Sequence, residues 1–125
     1  MIFLDTHAIL WLHEEEFDKF SDSTLSLIRE NDLFYSTISR VEIHYLNQRG
    51  KITKPAIRLL HDMENRIGIL KSPYSIDELT YNALTIPWTR DPFDLLISAE
   101  VHSKKKHTLI TRDRTILKNL KEAIW

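Results

Sequence analysis

The stretch "IFLDTHAILWL" (residues 2–12) decides the fold, because it joins a β-type run, an acid and a helix-length pattern without a loop between them. The run at 2–4 is apolar and typical of a buried strand. Asp5 follows directly, and as a favoured N-cap residue it suits the start of the helix predicted at 7–14. The segment therefore predicts a strand that leads at once into a helix.

The same alternation continues along the chain. Further β-type runs lie at 33–37, 68–71, 107–111 and 123–125. Helix-length patterns lie at 7–14, 21–31, 39–51, 55–67, 75–85 and 91–106. Strands that alternate with helices predict a parallel sheet with helices on both faces. We therefore expect an α/β fold, an α/β/α sandwich around a central parallel sheet, in a single domain spanning residues 1–125.

Composition excludes several classes of protein. The chain has 125 residues, a formal net charge of -1, no cysteine and only two glycines, Gly50 and Gly68. Without cysteine there is no disulfide framework, thiolate zinc site or cysteine nucleophile, and two glycines cannot supply G-x-G-x-x-G or a P-loop. No basic signal-peptide start is present, and no apolar run approaches the roughly 18 residues of a spanning helix. We expect a cytoplasmic protein with no membrane contact.

Four carboxylates lie at equivalent places in the predicted strands and helices. Asp5 and Asp113 follow predicted strands, Glu42 follows the second strand, and Asp94 lies in the first turn of the helix predicted at 91–106. In a parallel sheet the carboxyl ends of the strands share one edge with the following helix N-termini. The four side chains should therefore converge at that edge.

Three of these acids also have a structural interpretation. Asp5 can cap the first helix, and Asp113 in "TRDRT" is typical of an exposed turn. Ser39 and Glu42 have the S-x-x-E spacing of a capping box, although the apolar neighbours of Glu42 favour a side chain that points inward. Taken one at a time, these three acids do not decide between structure and function.

Asp94 is harder to explain structurally. Asp91 followed by Pro92 is typical of a helix start, with Asp91 as N-cap and proline at the first helical position. A capping acid is therefore already present. Asp94 shares a helix face with Ile97 and Val101, so a second carboxylate would lie on the mostly apolar side.

Converging carboxylates predict a site for a hard divalent cation. Four such groups cannot all stay ionised without compensation, and Mg²⁺ or Mn²⁺ prefers oxygen ligands. A metal of this kind activates water and neutralises charge on a phosphodiester. The segment from Lys104 to Lys121 has seven Lys/Arg and one acid, which fits either solvated helix faces or a surface for a polyanion. The sequence therefore predicts a metal-dependent nuclease.

Four segments together resemble a known family. They are "FLDTHAILWL" (3–12), "STISRVEI" (36–43), "IPWTRDPFDLLISAE" (86–100) and "TLITRD" (108–113). In this order and spacing they resemble the PIN domain, specifically the VapC-like toxins of bacterial and archaeal type II toxin-antitoxin systems, over essentially the whole chain. The resemblance implies a Mg²⁺- or Mn²⁺-dependent endoribonuclease, often a homodimer, that a small antitoxin protein holds inactive.

Individual residues also receive predicted roles. The resemblance implies that the catalytic and metal-binding acids are Asp5, Glu42, Asp94 and Asp113, supported by Thr6 and Thr111, and the helix cap Asp91 is also expected to support them. The residues expected to contact RNA are Arg90, Arg112, Arg114 and Lys104. Among the aromatic residues, Trp88 is predicted to line the RNA path, whereas Trp11 is assigned to packing. The chain departs from the family pattern at Arg40, at Val41 and in "SKKKH" (103–107), which could alter the choice of substrate or antitoxin.

Two other functions stay open. A catalytically idle PIN-like binding module would use the same acids to grip basic residues of a partner. A receiver-like signalling domain would also bind Mg²⁺ at strand ends, but it would need paired acids after the first strand and a lysine after the last, and Asp5 is followed here by Thr6 and His7.

Overall fold

The computed structural model describes residues 1–125, and its centre is one parallel sheet of five strands. The strands are β1 (Ile2–Leu4), β2 (Leu33–Tyr35), β3 (Leu70–Lys71), β4 (Thr108–Ile110) and β5 (Ala123–Ile124). Their order in the sheet is β3-β2-β1-β4-β5. The central strand β1 pairs on both sides, with Phe3 opposite Phe34 in β2 and Leu109 in β4. All five predicted strands are present, and the α/β fold class is confirmed.

Helices cover both faces of the sheet. They are α1 (Thr6–His13), α2 (Asp22–Glu30), α3 (Thr37–Gln48), α4 (Ala56–Arg66), α5 (Ile76–Ala83), α6 (Pro92–Ala99) and α7 (Arg114–Asn119), with a 3₁₀ turn at Phe17–Lys19. None of them is long and apolar enough to cross a membrane.

Alternation along the short strands divides the core into two halves. Leu4 and Ile110 face one side and pack with residues of α1, α3 and α4. Phe3 and Leu109 face the other side and pack with residues from α6 and α7. Because successive side chains of a strand point to opposite faces, three residues per strand are enough to anchor both helical layers. The predicted α/β/α sandwich follows from this division.

The structure corrects one helix prediction and adds one helix that the sequence did not predict. The helix expected at 91–106 ends at Ala99, and the chain then turns toward β4 through Ser103 and Lys106, both with positive φ. Helix α7 was not predicted. It has only six residues, too few for a helical period to be visible, and Asp113 begins it by accepting a hydrogen bond from Ile116 N at 2.8 Å.

The strand order also excludes one alternative function. A receiver-like domain has the flavodoxin-like order 2-1-3-4-5, in which the first and third strands are neighbours. Here β1 lies between β2 and β4, and β3 is at the edge. The receiver-like hypothesis is therefore wrong.

Glu100, directly after α6, is a fully buried acid. The Ser72 hydroxyl donates a hydrogen bond to Glu100 Oε2 at 2.7 Å, whereas Oε1 has no partner. Burial raises the pKa of Glu100 above its usual value, although hydrogen bonding, including that from Ser72, and the charge of Lys104 oppose the shift; nearby Glu78 adds a smaller upward effect. Ionised Glu100 therefore destabilises the folded chain relative to protonated Glu100.

We expect Glu100→Gln to change how stability depends on pH. A raised folded-state pKa costs nothing below the unfolded pKa, and the cost grows as pH rises toward the folded pKa. The melting temperature of Glu100→Gln minus that of the wild type should therefore increase as pH is raised from 4.5 to 8. Thermal melts at constant ionic strength measure this difference. A constant difference between the two proteins across this range would show that ionisation of Glu100 does not limit stability.

Candidate functional site

A pocket of about 290 Å³ opens at the carboxyl edge of the sheet, where β1 and β4 end. This is the point at which the strand order reverses, since β2 and β3 lie on one side of β1 and β4 and β5 on the other. Ligands of parallel sheets collect at such points. The side chains that line the pocket are Asp5, His7, Trp11, Glu42, Asp94, Arg112 and Asp113. The four acids singled out from the sequence thus line one pocket.

Asp5 is held between β1 and β4. Its backbone N–H donates to Ile110 O at 3.0 Å, which continues the ladder of the two strands. It occupies the N-cap position of α1, but its side chain makes no capping hydrogen bond. Instead, the carboxylate accepts a hydrogen bond of 2.6 Å from the buried Thr111 hydroxyl. Capping therefore does not explain Asp5, and Thr111 orients its carboxylate.

Glu42 projects from the second turn of α3. The capping-box explanation is wrong, because the N-cap of α3 is Ser36, whose side chain accepts from Ile38 N. The Thr6 hydroxyl donates to Glu42 Oε2 at 2.7 Å and lies 3.1 Å from Ser39 Oγ. Thr6 therefore ties the start of α1 to α3 and orients the glutamate.

The start of α6 separates the roles of two aspartates. Asp91 caps the helix, since its Oδ1 accepts hydrogen bonds from Phe93 N at 2.9 Å and Asp94 N at 3.1 Å. The structural role predicted for Asp91 is confirmed. With the cap in place, the carboxylate of Asp94 has no hydrogen-bond partner in the protein and lines the pocket.

Asp113 both caps a helix and lines the pocket. One of its carboxylate oxygens caps α7, and its backbone N–H donates to Thr111 Oγ1 at 3.1 Å. Thr111 thereby connects Asp113 to Asp5 through one hydroxyl group. The exposed-turn interpretation does not hold, since Asp113 is only partly exposed and its second oxygen remains available to the pocket.

Crowding and burial change the acidity of the site. Burial, followed by repulsion from other acids, raises the pKa of Asp94 to about 7, and burial raises that of Glu42 to about 7 against the opposing Thr6 hydrogen bond. Burial also raises the pKa of Asp5, although the hydrogen bond from Thr111 and the charge of His7 oppose the shift. The site therefore binds protons in competition with any cation.

The donor set fits a hard divalent cation. The four acids offer only oxygen atoms, which Mg²⁺ and Mn²⁺ prefer. No three acidic or histidine side chains are gathered closely enough to form a complete cage. Mg²⁺ does not need one, because it usually keeps several waters and binds through one or two carboxylates plus substrate phosphate.

The predicted RNA-contacting residues lie in different places. Arg112 lines the pocket, and Arg90 and Arg114, each next to a helix-capping aspartate, are exposed and form no ion pairs. Lys104 does not join them. It lies before β4, at the opposite end of the strand from Asp113, with its Nζ 3.2 Å from the centre of the Tyr74 ring.

One tryptophan differs from its predicted role, and a second has a role beyond the predicted one. Trp88, expected to line the RNA path, packs against buried residues of α5 and α6 and is absent from the pocket. Trp11 packs against the core as predicted, and it also lines the pocket together with His7. These two residues are four apart on α1 and so share a face of the helix that begins beside Asp5. The i, i+4 spacing of His7 and Trp11 was therefore the signal in the sequence that could have placed Trp11 at the pocket.

A larger pocket, of about 650 Å³, lies between α3 and α4. Its one acid, Glu64, accepts a hydrogen bond of 2.6 Å from Tyr35 OH, which Arg40 also contacts at 3.1 Å. Because this acid is already satisfied, the larger pocket lacks the converging free carboxylates found at the end of β1. The smaller pocket is therefore the candidate active site.

Comparison with solved structures supports the fold. A chain in the crystal structure of VapBC2 from Rickettsia felis, bound to a DNA fragment from their promoter, superposes with a TM-score of 0.66. The two chains are 20% identical, and the match covers 99% of this chain and 96% of the other. No protein-family model matches the sequence, and no curated protein matches it. The shared property is thus the α/β fold.

We expect Asp94→Asn to stabilise the metal-free protein at pH 8. The folded-state pKa of Asp94, about 7, exceeds its usual 3.8, so ionisation destabilises the fold as pH rises through this range. In thermal melts with EDTA the variant should melt roughly 4 °C above the wild type at pH 8, for a gain of about 1 kcal/mol, and the difference should shrink toward pH 4. Asp32→Asn, the same change at an exposed site, is the control. A lower melting temperature for Asp94→Asn at pH 8 would contradict the repulsion.

Proposed function

We propose that this protein is a Mg²⁺- or Mn²⁺-dependent endoribonuclease and the toxin of a toxin-antitoxin pair. The observation that carries the proposal is the convergence of Asp5, Glu42, Asp94 and Asp113, from four separate segments, on one pocket at the end of β1. Three of these acids make no capping hydrogen bond, and the fourth, Asp113, uses only one oxygen for its cap. Stability alone does not account for such a cluster, because burial and repulsion make it costly.

Each side chain has a distinct part in this proposal. Asp94, which has no protein partner, and one of the other three acids would hold the cation directly, and the remaining acids would contact its water ligands. The bound metal would activate a water and neutralise charge on the phosphodiester. Thr111 and Thr6 hold Asp5 and Glu42 by hydrogen bonds of 2.6 and 2.7 Å, so that these carboxylates need not reorganise.

Basic residues around the pocket support a polyanionic substrate. Arg112 lines the pocket and is not paired with any carboxylate, and Arg90 and Arg114 are exposed and unpaired. A phosphate backbone would supply the partners that these guanidinium groups lack.

A protein partner is part of the proposal. The similar chain comes from a VapBC2 complex, and the fold is the same. Helix α3 also exposes two apolar side chains, Val41 at 53% and Tyr45 at 42%. A cognate antitoxin and a second copy of this chain are the partners that we propose for such surfaces. An RNA-cleaving toxin of this kind would act in the cytoplasm.

We expect RNA cleavage to require both metal and Asp94. A mixed-structure RNA pool should be cut by purified protein with Mn²⁺ but not with EDTA. Asp94→Asn should lower the rate more than about a hundredfold, because losing a ligand exceeds the roughly 10- to 100-fold effect of losing an outer-shell partner. The readout is product formation resolved on denaturing gels.

Asp91→Asn is the matched control for this experiment. It makes the same charge change three residues away, and asparagine caps a helix about as well as aspartate. We expect cleavage within tenfold of the wild type, as an order-of-magnitude bound. Wild-type rates for Asp94→Asn would overturn the assignment of Asp94, and no cleavage by any protein would favour the idle binding module.

We also expect divalent metal to stabilise the protein. A ligand that binds only the folded state stabilises it by about 2.7 kcal/mol at one hundred times its dissociation constant. The melting temperature should therefore rise with Mg²⁺ or Mn²⁺ in the wild type and rise less in Asp94→Asn. Equal shifts in the two proteins would show that the metal binds elsewhere.

A further inference from the structure

An aromatic cluster forms one wall of the acid pocket, and the metal chemistry does not use it. The Trp11 ring lies edge-on to Trp125, with centroids 5.4 Å apart, and edge-on to Phe20 at 6.3 Å. Phe20 is buried and stacks on Trp125 at 4.7 Å. Phe20 and Trp125 therefore hold the Trp11 ring in position. Packing alone explains the contacts of Phe20 and Trp125.

Trp11 itself is only half-buried and lines the pocket. The side chains next to its ring on the pocket wall are His7, at 6.0 Å between ring centres, and Arg112, whose guanidinium carbon is 6.0 Å from the ring centre. Both are exposed and polar, and a ligand could displace them. Outside the pocket, Lys19 Nζ also lies over the ring, 5.4 Å from its centre. Packing explains the position of Trp11 but not its exposure beside the four acids.

Arg112 adds a second unusual feature. Its guanidinium carbon also lies 5.9 Å from the centre of the Trp125 ring, so that the group lies over two aromatic rings. Although four carboxylates line the same pocket, Arg112 forms an ion pair with none of them. An unpaired guanidinium beside an accessible indole combines two surfaces that bind nucleotides: a charge for phosphate and flat groups for a base.

We propose that Trp11 and Arg112 form a stacking site for one unpaired RNA base beside the carboxylate pocket, an inference that rests on the proposed nuclease function. The base would stack on the Trp11 indole, and the Arg112 guanidinium would hold the adjacent phosphate. Stacking uses the π-face that every base has, so this site selects single-stranded over paired nucleotides and does not select among the four bases.

Two oligonucleotides of equal charge test the site. One is a single-stranded 2′-O-methyl RNA of about eight nucleotides, and the other has the same backbone with abasic positions. Both are titrated into the full chain carrying Asp94→Asn, and affinity is read from fluorescence polarisation. The base-containing strand should bind roughly 5- to 100-fold tighter than the abasic one, the range of stacking on one aromatic side chain.

Substitution of Trp11 should remove this preference. In Trp11→Leu the base-containing strand should bind about as weakly as the abasic strand, whose affinity should not change. Trp11→Phe should keep most of the preference, because a ring remains, and Trp88→Phe should keep all of it. If Trp11→Leu does not fold, Trp11→Met fills more of the same volume without a ring. A misfolded pocket would instead weaken the binding of both strands.

The outcomes separate this site from the nuclease. Equal affinity for the two strands in the parent protein, or an unchanged preference in Trp11→Leu, overturns the stacking site whether or not RNA is cleaved. A full preference that Trp11→Leu abolishes, in a protein that cleaves no RNA with Mn²⁺, overturns the nuclease and leaves the stacking site established.

Discussion

The pairing of β1 with a parallel strand on each side is the constraint from which the rest of the structure follows. Hydrogen bonds to β2 and β4 place β1 in the middle of the sheet, and its side chains reach both halves of the core. The ladder runs on to Asp5, whose N–H bonds Ile110 O. The chain therefore carries a carboxylate to the edge of its own core, where Thr111, 106 residues away, meets it.

The buried position of Asp5 lowers the stability of the folded chain when the carboxylate is ionised, although an ionised carboxylate is what a cation would bind. Asp5 is only 6% exposed, and burial, with a smaller contribution from the neighbouring acids, raises the pKa of Asp5, Asp94 and Glu42. Two threonine hydroxyls offset part of this cost by donating to the charged oxygens. Several of the residues involved also maintain the fold, since Thr6 connects α1 to α3 and Asp113 begins α7. The site is thus made partly from groups that the fold needs in any case.

The differences between sequence and structure have a common cause. The spacing of Ser39 and Glu42 matches a capping box, but α3 begins three residues earlier, at a boundary that spacing does not reveal. Lys104 and Asp113 are close in sequence, yet β4 runs between them and sends them to opposite ends of the sheet. Trp88 packs onto the core rather than lining the pocket, because position in the sequence does not tell whether a loop folds back onto the core. These errors concern where an element begins or where its residues lie in three dimensions, which local sequence does not specify.

The five strands, most of the helices, the parallel sheet and the convergence of four acids at one edge follow from the amino-acid sequence alone, because hydrophobic period and the position of polar residues are local properties of the chain. The strand order, the Thr111 to Asp5 and Thr6 to Glu42 hydrogen bonds, and the aromatic wall at Trp11 depend on packing between segments far apart in sequence. Only the folded chain sets those contacts, since nothing within one segment specifies which other segment will lie against it.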